Sequence, residues 1–384
     1  MIEEVPLYVA DYATDVINED KQTVEIDKGD WVKPYPYDPS KNDIDIQEKP
    51  MSIYQFMRLY DQERLIIDPE YQRNLVWKEK QKSRFIESIL LSFPLPPFYV
   101  NQQVDSRYII IDGLQRTTTL HQFVNGQFAL TGLEALSAIN GQKFKDLPSG
   151  YQARIEDKNI LLFVIKPSVP IEVVYELFDR INTGGTPLNR QEVRNCIFQG
   201  KATELLKELS KKPYFRESID NGVSDTRMKD RELILRYLSF KILDYTTLYQ
   251  GDLSPFLEEA MKKINAMSED EINALKVDFE RVMRITYDFF GKQNFRIPQW
   301  DNKDDKVVWR SRGVINSAML ESICYFFSHQ TDSFLAENKK RIIYNFWNLF
   351  HDPIYMNAIS SSTGSKLRVF NRFRLVQEIL GNIQ

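Results

Sequence analysis

Cysteine and histidine are scarce in this 384-residue chain, and each shortage excludes chemistry. The two cysteines, Cys196 and Cys324, stand far apart and form no CxxC pair, which excludes a cysteine zinc site and argues against a disulfide framework. The three histidines, His121, His329 and His351, are equally scattered, and none sits in a recognisable metal-binding context. No apolar run reaches the ~18 residues that a membrane-spanning helix needs. The leader MIEEVPLYVADYATD is acidic and lacks a charged-then-apolar signal pattern, so the chain reads as cytoplasmic, with no membrane partner. There is no internal repeat, and no low-complexity tract longer than Ser360-Ser361-Ser362.

A strong excess of positive charge is also missing. The net charge is −4, but residues 1 to 50 hold 13 acids against 5 lysines, a local −8, which leaves 41 acids and 45 bases, or +4, on the rest. An acidic leader on a mildly basic body confines any DNA contact to a local patch. What is present is the composition of an ordinary globular protein, 42% apolar and 27% charged, long enough for two or three domains.

Periodicity divides the chain into three. Residues 1–48 form an acidic, irregular arm, with one strand expected near Thr23 to Ile26. Residues 49–200 alternate helical and strand patterns. A short helix is expected over Ser52 to Leu59 and a strand at Leu65-Ile66-Ile67. A helix over 78–91 has Phe85, Ile86, Ile89 and Leu90 on one face and is stopped by FPLPP. Strands follow near 97–102 and 107–111, then a helix carrying Leu120, Phe123 and Val124, with Gly126 as its C-cap. ILLFVI at 160–165 reads as a strand covered on both faces. A helix over 171–181 comes next, and Asn189 with Glu192 forms a capping-box start to another. Residues 201–384 show long amphipathic stretches and no convincing strand, a helical domain. The fold class is α/β (α+β): a mixed sheet with flanking helices, then an all-helical C-terminal domain.

Three polar constellations interrupt the α/β part. In IDPEYQRNLVW (67–77), Tyr71, Gln72 and Arg73 follow a strand, and Val76-Trp77 anchor the loop. In IIIDGLQRTTTL (109–120), three β-branched residues run into Asp112, Gly113, Gln115, Arg116 and the hydroxyls of Thr117, Thr118 and Thr119. Amides at a helix N-terminus bind phosphate with little reorganisation. Arg116 would add a forked charge-assisted pair, and Asp112 would hold Mg²⁺ through water. The plainer alternative is a strand-to-helix turn in which Asp112 caps the helix and Arg116 pairs with an acid. In FDRINTGGTPLNRQEVRN (178–195), Asn182 and the paired Gly184 and Gly185 let backbone approach a ligand, or simply end one helix before the next.

Taken together, Tyr71-Gln72-Arg73 with Val76-Trp77, Pro94-Leu95-Pro96, Asp112-Gly113-Leu114-Gln115-Arg116 with Thr118-Thr119-Leu120, and Asn182-Thr183-Gly184-Gly185 with Leu188 give residues 50 to 200 a resemblance to a known family. They resemble the N-terminal domain of GmrSD-type modification-dependent restriction proteins, whose core is similar to the ParB/sulfiredoxin nucleotide-binding fold. The resemblance implies that Asp112, Gln115 and Arg116 occupy a nucleotide-binding and NTPase motif, with Arg73 nearby. It implies NTP (ATP, GTP or CTP) and Mg²⁺ as cofactors, with Tyr71, Arg73, Gly113, Arg116, Thr117, Thr118, Asn182, Gly184 and Gly185 around the nucleotide. Leu114 stands where the family usually has glutamine, which weakens the expectation of hydrolysis. Members with full restriction activity add an HNH-type nuclease, which needs histidine as base and ligand. The three scattered histidines lead to the expectation that this chain does not cut DNA alone.

One basic stretch remains, SKLRVFNRFR (365–374), in which Lys366, Arg368, Arg372 and Arg374 interleave with Phe370 and Phe373, a mixture suited to a nucleic-acid backbone. On a helix the same residues would instead divide into core and solvated faces. The expectation is a nucleotide-binding regulator of a DNA defence system, with DNA and a nuclease supplied in trans as partners and self-association left open. The alternatives are a non-catalytic DNA-binding adaptor, or a nuclease with an unrecognised site.

Overall fold

The computed structural model describes residues 44–67, 77–181, 189–301, 306–308, 314–360 and 362–382. Two units divide at residue 197, so that described residues 44–197 and 198–382 each form a compact body. No helix among the described residues is long and apolar enough to cross a membrane.

The first unit is built on a five-stranded mixed sheet. Strand β1 (Ile46–Ser52) leads directly into α1 (Ile53–Asp61), whose start is a reciprocal capping box between Ser52 and Gln55. After β2 (Leu65–Ile66) come α2 (Glu79–Leu90), β3 (Phe98–Gln102), β4 (Tyr108–Asp112), α3 (Leu114–Val124), α4 (Ser149–Glu156) and β5 (Asn159–Ile165). Helices α5 (Ile171–Ile181) and α6 (Arg190–Ile197) complete the unit. The strand order is β1-β5-β3-β4-β2; β5/β3 and β4/β2 pair in parallel, the other two neighbours antiparallel.

Alternation along the strands sends their side chains to two cores. Phe98, Val100, Tyr108, Ile110, Leu162 and Val164 pack with the apolar faces of α1, α2 and α3, while Ile109, Ile111 and Ile165 pack with Val173, Val174, Val193 and Cys196 of α5 and α6. This two-sided burial explains why β4 and β5 read as unbroken apolar runs. One boundary needs adjustment. The sheet begins at Ile46, inside the stretch assigned to the arm, because β1 is an edge strand whose outer residues stay polar and whose edge tolerates Pro50. The helix of the central motif begins at Leu114, directly after Gly113, where a strand-to-helix turn was expected. The strand expected at Thr23 to Ile26 lies outside the described residues.

The second unit is helical: α7 (Lys201–Ser210), α8 (Pro213–Ser218), α9 (Lys229–Ile242), α10 (Tyr245–Leu248), α11 (Leu253–Ala266) and α12 (Glu269–Phe290) precede a hairpin of β6 (Gln299–Asp301) and β7 (Lys306–Val308). Then follow α13 (Ser317–Ser328), α14 (Asp332–Leu349), α15 (Pro353–Ser360) and α16 (Lys366–Leu380). The hairpin corrects the all-helical expectation; three-residue strands are too short for alternation to register. Helices α9, α13 and α16 are joined through the fully buried Glu321, which accepts from Arg236 Nε at 3.0 Å and from Arg372 Nη2. Arg372 also donates to the Thr363 carbonyl at 2.6 Å.

A carboxylate shared between two buried guanidinium groups is costly to break, because its loss strands both charges. Glu321→Gln is therefore expected to destabilise this unit by about 3–5 kcal/mol, measured as a lowered urea midpoint with native helix content below the transition.

Candidate functional site

The candidate site lies at the end of the sheet where β4 finishes and β3 begins, since Tyr99 is paired with Asp112. Gly113 makes the turn between β4 and α3 with φ +99°, the left-handed region, and serves as the helix N-cap. A side chain there would be strained, and its Cβ would lie 2.5 Å from the Phe98 ring. Having no side chain, Gly113 cannot cap α3. The amides of Leu114, Gln115 and Arg116 have no acceptor among the described residues, and the first intrahelical bond is Thr117 N to Gly113 O at 2.8 Å.

Arg116 turns inward. Its Nη1 donates to the Pro96 carbonyl, its Nη2 donates to the Pro97 carbonyl at 3.0 Å and to Asp112 Oδ2 at 2.7 Å, and its guanidinium carbon lies 4.3 Å from the Phe98 ring centre. Burial pushes the Arg116 guanidinium below its ordinary value, and the Asp112 carboxylate opposes that shift. The expected fork on a phosphate thus meets an arginine already employed, as in the alternative reading in which it pairs with an acid. Asp112 is the more open member of the pair, its side chain 37% exposed against 11%.

The remaining motif residues also find places. Gln115 Oε1 accepts from the Trp77 amide at 3.1 Å, which brings the end of the 67–77 stretch to the first turn of α3. Thr117 and Thr119 donate to the carbonyls four residues back, Gly113 and Gln115, at 3.0 and 2.7 Å. Thr118 is buried, and its Oγ1 has no partner among the described residues. A turn further along, His121 stacks on Tyr60 with ring centres 4.1 Å apart and places Nε2 3.5 Å from Asp61.

Asp112, Gly113, Gln115, Arg116, Thr117 and Thr118 therefore all fall at the junction of β4 and α3. Tyr71, Arg73, Asn182, Gly184 and Gly185 lie outside the described residues. After the Asn182–Leu188 stretch, the expected capping box is present: Asn189 N donates to Glu192 Oε2 at 2.7 Å, and Glu192 N donates to Asn189 Oδ1 at 2.9 Å. Sequence reasoning missed Phe98 and the Pro96 and Pro97 carbonyls, having treated FPLPP only as a helix stop. Two adjacent carbonyls that no strand needs, next to a buried arginine, were the available signal.

The basic stretch at 365–374 does not form one surface. Arg372 is fully buried on Glu321 and cannot reach DNA, a correction to its assignment. Lys366 lies 3.4 Å from Gln250 Oε1, Arg368 is half-buried, and Arg374 pairs with Glu378 at 2.7 Å. Helix α16 divides into core and solvated faces, as the alternative reading had it.

In a comparison with protein families, residues 53–199 match the one described as GmrSD restriction endonuclease, N-terminal domain. The match begins on the first residue of α1 and ends two residues past α6. No curated protein matches the chain.

Arg116→Ala leaves two prolyl carbonyls and the Phe98 face without their cation. The expected cost is about 2–4 kcal/mol in the stability of the first unit, with Arg116→Lys recovering less than half because a single ammonium cannot span both carbonyls and Asp112. An unchanged urea midpoint in Arg116→Ala would refute the clamp.

Proposed function

We propose, on the basis of the GmrSD-family domain at residues 53–199, that the first unit binds a nucleoside triphosphate with Mg²⁺ and serves as the nucleotide-responsive part of a DNA restriction system. The observation that carries the reading is the open first turn of α3. Three amides without acceptors follow a glycine that cannot cap them, beside a half-exposed carboxylate and a buried hydroxyl with no partner. Such a turn favours an anion through both its donors and the helix dipole.

In this reading the α3 amides take the phosphate oxygens, and Thr118 is the candidate for a further donor. Arg116 holds the turn in shape by tying it to Pro96 and Pro97. Asp112 has Oδ2 committed to Arg116, and its other oxygen suits a magnesium ion shared with phosphate, which needs only one or two protein carboxylates. Among the described residues no group of three His, Cys, Asp or Glu side chains converges on a metal, so a dedicated protein cage is not the arrangement suggested. When bound, the metal would neutralise phosphate charge. Tyr71, Arg73, Asn182, Gly184 and Gly185 supply further contacts in this reading, and Gln115, held on the Trp77 amide, links the turn to the 67–77 stretch. Leu114 offers no polar group to a water, so binding is expected to exceed turnover. The nucleotide state then biases DNA engagement or recruitment of a nuclease in trans.

Calorimetric titration of ATP, GTP and CTP with Mg²⁺ tests this. At least one is expected to bind at micromolar concentration, with Asp112→Asn abolishing the metal dependence of binding. Leu114→Gln is expected to leave affinity unchanged and to raise phosphate release. Absence of binding by all three nucleotides to the folded protein would rule the reading out.

A further inference from the structure

Helix α2 carries a surface stripe that the nucleotide site does not use. Lys80, Arg84 and Ser88 recur four residues apart and so share one face. Neither cation has an ion pair among the described residues, in contrast to the four-apart pairs Lys212–Glu208, Arg284–Glu280 and Arg374–Glu378 of the second unit. The acids of α2 lie elsewhere. Glu79 is a quarter-turn away from Lys80, and Glu87 is buried, where it accepts the Ala135 and Leu136 amides at 2.9 Å each. The Lys80 stem runs against Gly132, and Lys80 is exposed.

An exposed ring follows the helix end. Phe93 N donates to Ser88 O and Ser92 N to Ile89 O, both at 2.9 Å, the paired bonds of a Schellman motif. Two departures from the usual motif are informative. Ser92 occupies the left-handed position normally given to glycine, with φ +61°, and Phe93, at the position that normally tucks against the helix, is 54% exposed. Next to it Lys158 Nζ donates to the carbonyls of Ser92 and Phe93 at 3.2 and 3.1 Å, and Arg154 donates to that of Leu90 at 3.0 Å. The Lys158 carbonyl in turn accepts from Ile53 N, which brings in Tyr54, 59% exposed. Glu156 and Asp157 immediately precede Lys158, and the exposed Glu134 lies on the loop between Gly132 and Ala135 that packs on α2.

We infer that Lys80, Arg84, Phe93, Lys158 and Tyr54 form a track for a single strand of DNA, cations on the phosphates and the two rings under bases. Unneutralised cations in a row suit a polyanion, and exposed rings interleaved with them suit unpaired bases, whose faces stack without regard to sequence. The choice of DNA rests on the restriction-system reading; the track itself does not.

Fluorescence anisotropy with a labelled single-stranded DNA oligonucleotide, its duplex and the RNA of the same sequence, over a salt series, tests the inference on the full chain. Lys80→Glu/Arg84→Glu is expected to weaken single-strand binding at least tenfold at low salt and to reduce the salt slope by about 1.4, two phosphates at ~0.7 each. Tyr54→Ser/Phe93→Ser is expected to weaken it about tenfold with the slope unchanged. Circular dichroism and urea midpoints establish that both variants are folded. No binding by the wild-type chain at low salt, or wild-type affinity in both variants, overturns the track. Tighter binding of duplex or RNA overturns the assignment to single-stranded DNA. Nucleotide titration of the same proteins separates the two readings. Unaltered nucleotide binding with lost DNA binding supports the track, and DNA binding by a chain that takes no nucleotide overturns only the proposed nucleotide function.

Discussion

The first unit depends on one buried guanidinium. Arg116 joins three pieces of chain that sequence separates: the prolines that precede β3, the carboxylate that ends β4 and the first turn of α3. Its charge is acceptable in a buried place because Asp112 neutralises it, two carbonyls accept from it and the Phe98 ring faces it. Gly113 is required by the same arrangement, since only a residue without a side chain fits between the Phe98 ring and that guanidinium. The result is a corner whose donors at the helix start remain uncommitted while its acidic and basic side chains are matched. That division separates the groups that shape the corner from the groups that can meet a ligand.

Much of this architecture was legible in the sequence. The apolar spacing of Phe85, Ile86, Ile89 and Leu90 gave α2, the run at 160–165 gave β5, and Asn189 with Glu192 gave the start of α6. The failures have local causes. The threonines were read as hydroxyls offered to a ligand; in the folded chain Thr117 and Thr119 turn their hydroxyls back on carbonyls four residues earlier. β1 was hidden because Gln47, Glu48, Lys49 and Pro50 mark a solvent-facing edge rather than a core strand. Arg372 was read as a surface cation because nothing in its neighbourhood announces Glu321, 51 residues earlier.

Helix α2 handles charge differently from most helices of the chain, including α5 of its own unit, where Arg180 pairs with Glu176. In the second unit, buried arginines converge on Glu321 and many surface cations have an acid one helical turn away. In the first, α2 leaves Lys80 and Arg84 unmatched while spending its buried acid, Glu87, on loop amides. Glutamate and lysine have similar helix propensity, so the absence of a matching glutamate on α2 is not explained by helix formation. It leaves a local positive field on a chain that is negative overall.

The pair Pro96-Pro97 has an effect beyond accepting from Arg116. Proline has no N–H, so β3 cannot be lengthened backwards into the ladder, and a slip of its pairing with β4 or β5 would carry a donorless residue into the sheet. With both carbonyls held by Arg116, the beginning of β3 is fixed where Tyr99 stands opposite Asp112, ahead of the register shift between Tyr99 and Val100. The corner is consequently held in alignment by covalent geometry at one end and by a buried arginine paired with a more open carboxylate at the other, before any ligand arrives.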